Sequence, residues 1–306
     1  MQQACPSVAI RSVSLLLMVF LVLAGCEKEV KINLNSSPPR LVVEGFIEKD
    51  NPPVVVLTRS IGYFSKVDIT TLSNSFVHDA HITVSNGSRT ITLREYHIDT
   101  VNGNKLYFYT LDTAGGTGTN YFRGETGKYY KLVIESDGKI YESTTNIPPC
   151  KPVDSLTAEA PATPPDKLPT AMILAVYYSD PDTFGNRIRY FTKRNSEPFY
   201  PGFNSVYDDQ IVNGAKNARL PIAAGFRRTG ELTDSSGYVF RGDTITLKWA
   251  AIDLGVFNFY NTYEYSLGTV GNPFSTPINV KSNVSNGALG VWAGYGTTFT
   301  TLIIPK

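Results

Sequence analysis

The chain has 306 residues, in which 28 Lys and Arg stand against 27 Asp and Glu, so it carries no net field that would steer nucleic acid or an anionic surface. Only 18% of residues are charged, while 18 Tyr, 16 Phe, 25 Gly and 19 Pro describe a β-rich, turn-dense chain and exclude a helical bundle or a disordered polyampholyte.

The chain opens with Arg11 and then an apolar run from Val13 to Leu23. That run has the length of a signal-peptide hydrophobic region and falls well short of the roughly 20 residues a spanning helix needs. Leu23, Ala24 and Gly25 then lead into Cys26. A branched apolar residue, two small ones and a cysteine resemble the bacterial lipobox, whose thiol accepts diacylglycerol before cleavage. On that resemblance residues 1–25 are a lipoprotein signal peptide, Cys26 is the lipidation site, and residues 26–39 form a lipidated tether. Several acyl chains, at about 0.8 kcal/mol per buried CH₂, anchor durably where one does not. The plainer alternative is a secretory signal with an accidental cysteine. Loss of residues 1–25 removes Arg11 and Cys5, leaving a neutral mature chain. Cys150 is then the one free thiol, no internal disulfide can form, and stability must come from packed cores.

From residue 40 to 147, β-prone runs recur between turn signals: LVVEGFIE, PVVVLTRS, HITVS, RTITLRE, KLYFYTL, KYYKLVIES and KIYESTT. HITVS and RTITL flank Asn86-Gly87, which predicts a hairpin turn with positive φ at both of those residues. Ile82 and Val84 share one face of the hairpin, as do Ile91 and Leu93. Tyr130, Leu132 and Ile134 alternate with polar neighbours. Seven such runs predict an immunoglobulin-like β-sandwich over 40–147. Prolines 148, 149 and 152 then withdraw backbone donors and stiffen the chain at a domain boundary.

Residues 153–306 predict a second β-rich domain, opening with VDSLTAEA and a Pro-rich loop at APATPPDKLP, with strands at AMILAVYYSD, NRIRYFTKR, RLPIAAGFRR and GDTITLKWAAID. Ile245, Leu247 and Trp249 fall on one face of the last. Val256, Phe259, Tyr260, Tyr263 and Leu267 then recur at helical spacing, predicting one amphipathic helix near 253–267 capped by Asp253. Its aromatic stripe reads as core. GALGVWAGYGTTFTTLIIP reads as a final pair of strands. The fold class expected is therefore mainly β, a sandwich followed by a β-rich domain with one helix.

Candidate chemistry is sparse. His78 and His81 lie on opposite faces of an extended chain and lack a third ligand, so a metal site is not expected. DPDTFG from Asp180 imitates a calcium loop, but Phe184 and Phe191 occupy the fifth and twelfth positions, and a turn explains it better. Asp208 and Asp209 are adjacent and point apart. Cys150, hemmed by prolines, reads as an inert thiol. No nucleophile elbow, phosphate loop, zinc helix or dinucleotide fingerprint occurs. No cofactor and no catalytic activity are expected.

RLVVEGFIEKDNPPVVVLTRS, GKYYKLVIESDGKIYESTTNIP, VYYSDPDTFGNRIRYF and NPFSTPINVKSNVSNGALGVWAGYG together resemble one set of Bacteroidota lipoproteins, known as domain of unknown function 4249. The resemblance covers essentially the whole mature chain. Members often carry a paired aromatic motif where this chain has Ile188, Arg189, Tyr190 and Phe191, and a Phe-rich ending where Trp292 stands here. The resemblance implies an extracytoplasmic lipoprotein, frequently encoded beside a TonB-dependent outer-membrane receptor, and carries over no catalytic residue. Glu27, Lys28 and Glu29 also resemble the surface-export signal of such lipoproteins, the alternative being a plain solvated tether.

The expected function is thus a non-catalytic accessory of a TonB-dependent transporter, held in the outer membrane through acylated Cys26, with the surface leaflet ahead of the periplasmic one. The rivals are a structural or adhesive surface sandwich and a surface enzyme acting on glycans or peptides. Four triplets of Asp, a hydroxyl residue and an apolar residue resemble Bacteroidota O-glycosylation acceptors, at Thr100, Thr113, Ser155 and Thr244. Ordinary turn chemistry is the competing explanation.

Overall fold

A computed structural model describes residues 38–306 except 63, 64, 66, 67, 101, 102, 113–120, 164, 211, 212, 229–231, 273 and 277. The expected signal peptide, Cys26, the tether as far as residue 37, and Thr113 lie outside the described residues.

The first half supplies β1 (Leu41–Glu48), β2 (Val54–Arg59), a short helix α1 (Ile69–Ser73), β3 (His81–Ser85), β4 (Thr90–Thr92), β5 (Arg94–Asp99), β6 (Lys105–Thr110), β7 (Tyr129–Ser136) and β8 (Lys139–Asn146). The second supplies β9 (Ser155–Glu159), β10 (Ile173–Tyr178), β11 (Arg187–Arg194), β12 (Tyr200–Asp208), β13 (Ala218–Ile222), β14 (Thr244–Ala251), helix α2 (Leu254–Gly268) and β15 (Leu289–Ile303). An eight-stranded sheet runs β12-β11-β14-β15-β1-β2-β6-β5, beside a four-stranded sheet β4-β3-β7-β8 and a three-stranded sheet β13-β10-β9.

Period-2 burial decides which face meets which partner. Parallel β1–β15 pairing sets Gly45 against Trp292 and Glu48 against Tyr295, while antiparallel β14–β15 pairing sets Lys248 against Phe299. Residues directly opposite share a face. One face of the long sheet therefore carries Val43, Ile47 and Trp292 into a core with Ile82, Leu132 and Ile134 of the four-stranded sheet. The same face carries Ile188, Leu247 and Trp249 into a second core with Leu156, Leu174 and Val176 of the three-stranded sheet. The opposite face presents Ala250, Val291, Ala293 and Tyr295 to Val256, Phe259 and Tyr260 of α2, a third and smaller core.

The closing segment forms one strand rather than the expected pair. β15 pairs parallel with β1 through its first half and antiparallel with β14 through its second. Its glycines resemble a turn signal in sequence but serve close approach. A Cβ on Gly294 would stand 2.2 Å from the Asn146 carbonyl oxygen, and one on Gly296 1.9 Å from that of Pro148. The proline-rich crossing thus lies directly on β15, and Pro38–Lys306 cluster as one compact unit. The expected domains 40–147 and 153–306 are realised as two cores on one shared sheet, because the last strand pairs with the first.

Other departures are local. β12 escapes the sequence pattern because Pro201, Gly202 and Asn204 break it, yet an edge strand tolerates a missing amide donor. At the β3–β4 turn Gly87 alone takes positive φ, at 88°, while the Asn86 carboxamide oxygen accepts from the Ser88 and Arg89 amides. Gly87 and Ser88 are then the central pair, as in a type II′ turn. Asp253 caps α2 as expected, accepting from Val256 N at 2.9 Å. The expected stripe, however, ends early: Tyr263 and Leu267 are 38% and 43% exposed, and Glu264 is buried instead. The later part of α2 crosses β12, where the Ser205 amide and hydroxyl both need an acceptor.

Candidate functional site

Between the sheet and α2 lies a cavity of about 560 Å³. Its floor comes from the face of β1, β11, β14 and β15 that bears Glu44, Phe46, Glu48, Phe191, Lys248 and Tyr295, and α2 contributes Phe259, Tyr260 and Tyr263. Strand alternation places these floor residues on one face: Glu48 is registered with Tyr295 and Phe191 with Lys248, and the registered pair Ala250 and Thr297 lies between the two pairs.

Arg189 is the centre of the arrangement. It is 7% exposed, and its guanidinium carbon lies 3.2 Å from the Tyr260 ring centroid and 4.6 Å from that of Phe191. Nη1 donates to Tyr295 Oη at 2.8 Å and Nε to Ser205 Oγ at 3.4 Å. Burial opposes the charge, but Tyr260, Tyr295 and Glu264 hold it, and the net direction is upward, so the group is cationic at any working pH. The Tyr295 phenol is pushed well above its ordinary range by burial, against the pull of Arg189, and stays neutral. It donates to Tyr260 Oη at 3.3 Å.

Glu264 accepts from Ser205 N at 2.7 Å, Ser205 Oγ at 2.5 Å and Arg228 Nη2 at 3.1 Å. A chain of polar contacts therefore runs from Arg228 through Glu264 and Ser205 to Arg189. Across the cavity Lys248 pairs with Glu48, under the rings of Phe191 and Tyr295. Such an array can hold a ligand with an apolar body and a charged end. Glu44 and Glu48 are four strand residues apart, about 13 Å at strand rise, beyond the roughly 5–9.5 Å that separates the carboxylates of glycosidases. Among the described residues, the cavity lining holds no Ser, Cys or His.

The residues singled out from sequence lie elsewhere. His78 Nδ1 meets Glu95 at 2.5 Å and its ring sits edge-on to Tyr107, while exposed His81 opens β3. No group of three possible metal ligands occurs among the described residues. Asp180 and Asp209 fasten the DPDTFG turn: Asp209 accepts from the Gly185 and Asn186 amides at 2.7 and 2.8 Å, and Asp180 accepts from Gly214 N at 3.2 Å. Asp180 is pushed up by burial and by nearby Asp209, although the Gly214 bond pulls it down. Burial raises the Cys150 thiol, which contacts Trp249 O and Thr298 Oγ1. Ser155 is exposed at the start of β9. Thr100 is half-buried, and its Oγ1 accepts from Asn104 N. Half-buried Thr244 opens β14.

Sequence reading passed over Arg189, Arg228, Lys248, Glu264 and Tyr295 as site residues. The available signal was NRIRYF, in which Arg189 stands between Ile188 and the pair Tyr190 and Phe191, and Glu264, four residues after Tyr260 on the helix stripe.

A family model described as Domain of unknown function (DUF4249) matches residues 27–301. The chain belongs to this family. The match spans every residue lining the cavity in this DUF4249 chain. Comparison with curated proteins finds no match. Among the described residues of the DUF4249 chain, no helix is long and apolar enough to cross a membrane.

Proposed function

We propose that this chain is a lipid-anchored outer-membrane protein that binds, rather than transforms, a small ligand as the accessory of a TonB-dependent transporter. The observation that carries the binding half is the cavity beneath α2, where Arg189 is clasped by aromatic rings and hydroxyls. The lipobox at Leu23–Cys26 supports the anchor, and the Bacteroidota lipoprotein resemblance supports the transporter.

Replacing Cys26 by Ser removes the thiol that accepts lipid. The variant is expected to leave the outer-membrane fraction, either soluble or held unprocessed at the inner membrane. Retention at the wild-type level would sink the anchor. Capture of a β-barrel receptor with the tagged chain tests the partnership.

A further inference from the structure

The cavity walls hold three cations and an uneven set of partners. Lys248 has Glu48, and Arg228 has Glu264. Arg189 has hydroxyls only, from Tyr295 and Ser205. A guanidinium carries five N–H donors and cannot lose its proton. Arg189 is buried in the cavity wall and meets no carboxylate in a salt bridge among the described residues. Nε of Arg228 is buried and has no hydrogen-bond partner among the described residues. Unmade bonds of this kind are costly at a buried charge, and a planar carboxylate is the group whose two oxygens match a guanidinium fork.

The rest of the lining fixes the body of the ligand. Phe191, Phe199, Phe259, Tyr260, Tyr263 and Tyr295 surround the space, and half-exposed Tyr263 with exposed Glu44 stands where it opens to solvent. A volume near 560 Å³ lies within the roughly 300–1,000 Å³ of small-molecule sites. A cationic ligand would be opposed by Arg189, which unlike Lys248 and Arg228 carries no carboxylate partner among the described residues.

We infer that the cavity beneath α2 binds a carboxylate-bearing molecule with an aromatic or apolar body, its carboxylate held by Arg189 and Arg228 and its body between the rings of β11 and α2. This rests on the reading of the chain as a binding protein and names the class of its ligand.

The test titrates the purified full-length chain, in detergent and against detergent blanks, with benzoate, 3-phenylpropanoate, 2-naphthoate and indole-3-propanoate, and with the primary amide of each. At least one carboxylate is expected to bind, at least tenfold tighter than its amide. Arg189→Gln and, at the partly exposed rim, Arg228→Gln are each expected to weaken it at least fivefold. Because Arg189 is buried and its loss can unfold the protein, Arg228→Gln with an unchanged melting temperature is the decisive variant. Binding of none of the acids, equal binding of acid and amide, or full affinity in folded Arg228→Gln overturns the inference. Receptor capture is read separately, so a silent titration leaves the partnership standing. Carboxylate binding without a receptor would remove the partnership alone.

Discussion

The guanidinium of Arg189 on β11 lies 3.2 Å from the centre of the Tyr260 ring on α2, and this contact fastens the helix to the long sheet. A buried cation over an aromatic face contributes on the order of 2 kcal/mol. Tyr260→Leu removes the ring and the hydroxyl that accepts from Tyr295, and is expected to cost about 2–4 kcal/mol. Tyr260→Phe keeps the ring and should cost about 1 kcal/mol. Urea unfolding followed by intrinsic fluorescence distinguishes them. Equal losses in the two variants would show that the hydroxyl, not the ring, holds Arg189.

The crossing of Asn146–Pro148 over β15 makes a second prediction. Ala at Gly294 or Gly296 would place its methyl group 2.2 or 1.9 Å from a carbonyl oxygen, so the crossing strand must shift. Each substitution is expected to destabilise by at least about 2 kcal/mol. Gly268→Ala, at the end of α2 with no atom within 4 Å of the new methyl, is the control and should be neutral or stabilising by up to about 1 kcal/mol. Thermal melts that rank Gly268→Ala with the other two would contradict the crossing.

Asp180 gives a pH prediction. Its carboxyl is raised by burial first and by Asp209, so the folded state holds that proton more tightly than the unfolded chain does. Unfolding therefore releases a proton, and this group's contribution to stability falls as pH rises from about 3.8 through the raised folded value. Asp180→Asn keeps an acceptor for Gly214 N and removes the charge. The variant should be more stable than the parent at pH 7, with the difference vanishing toward pH 3. A constant difference across that range would mean that charge is not the cause.

Glycosylation, if present, should follow exposure. A glycan needs an open acceptor. Exposed Ser155 fits best among the described candidates, whereas the Thr100 hydroxyl already accepts from Asn104 N. Intact mass from the native host is expected to show hexose-sized increments that diminish in Ser155→Ala. A mass equal to polypeptide plus lipid would end the idea.

How much of this was legible follows from the range of each signal. Strand alternation is local, so β1, β3, β7, β8 and β14 read directly from sequence, and Asp253 announced α2 because a cap acts within one turn. The pairing of β1 with β15 spans almost the whole described chain and leaves no local trace. Glycine has two uses, turning and close approach, and Gly294 and Gly296 could not be assigned to the second without Asn146 and Pro148 beside them. The cavity was hidden for a related reason. Arg189 and Glu264 occupy positions that periodicity reserves for apolar side chains, and only the meeting of β11, β12 and α2 gives them partners.

The proposed role of this chain is that of a membrane-anchored binding partner of a transporter. Its most direct test is capture of the tagged full-length chain from native outer membranes in mild detergent, with Cys26→Ser processed in parallel. A TonB-dependent β-barrel receptor is expected to travel with the parent chain at near-stoichiometric yield and to be depleted from the Ser variant. Parent chain recovered from the outer membrane with no such receptor would contradict it.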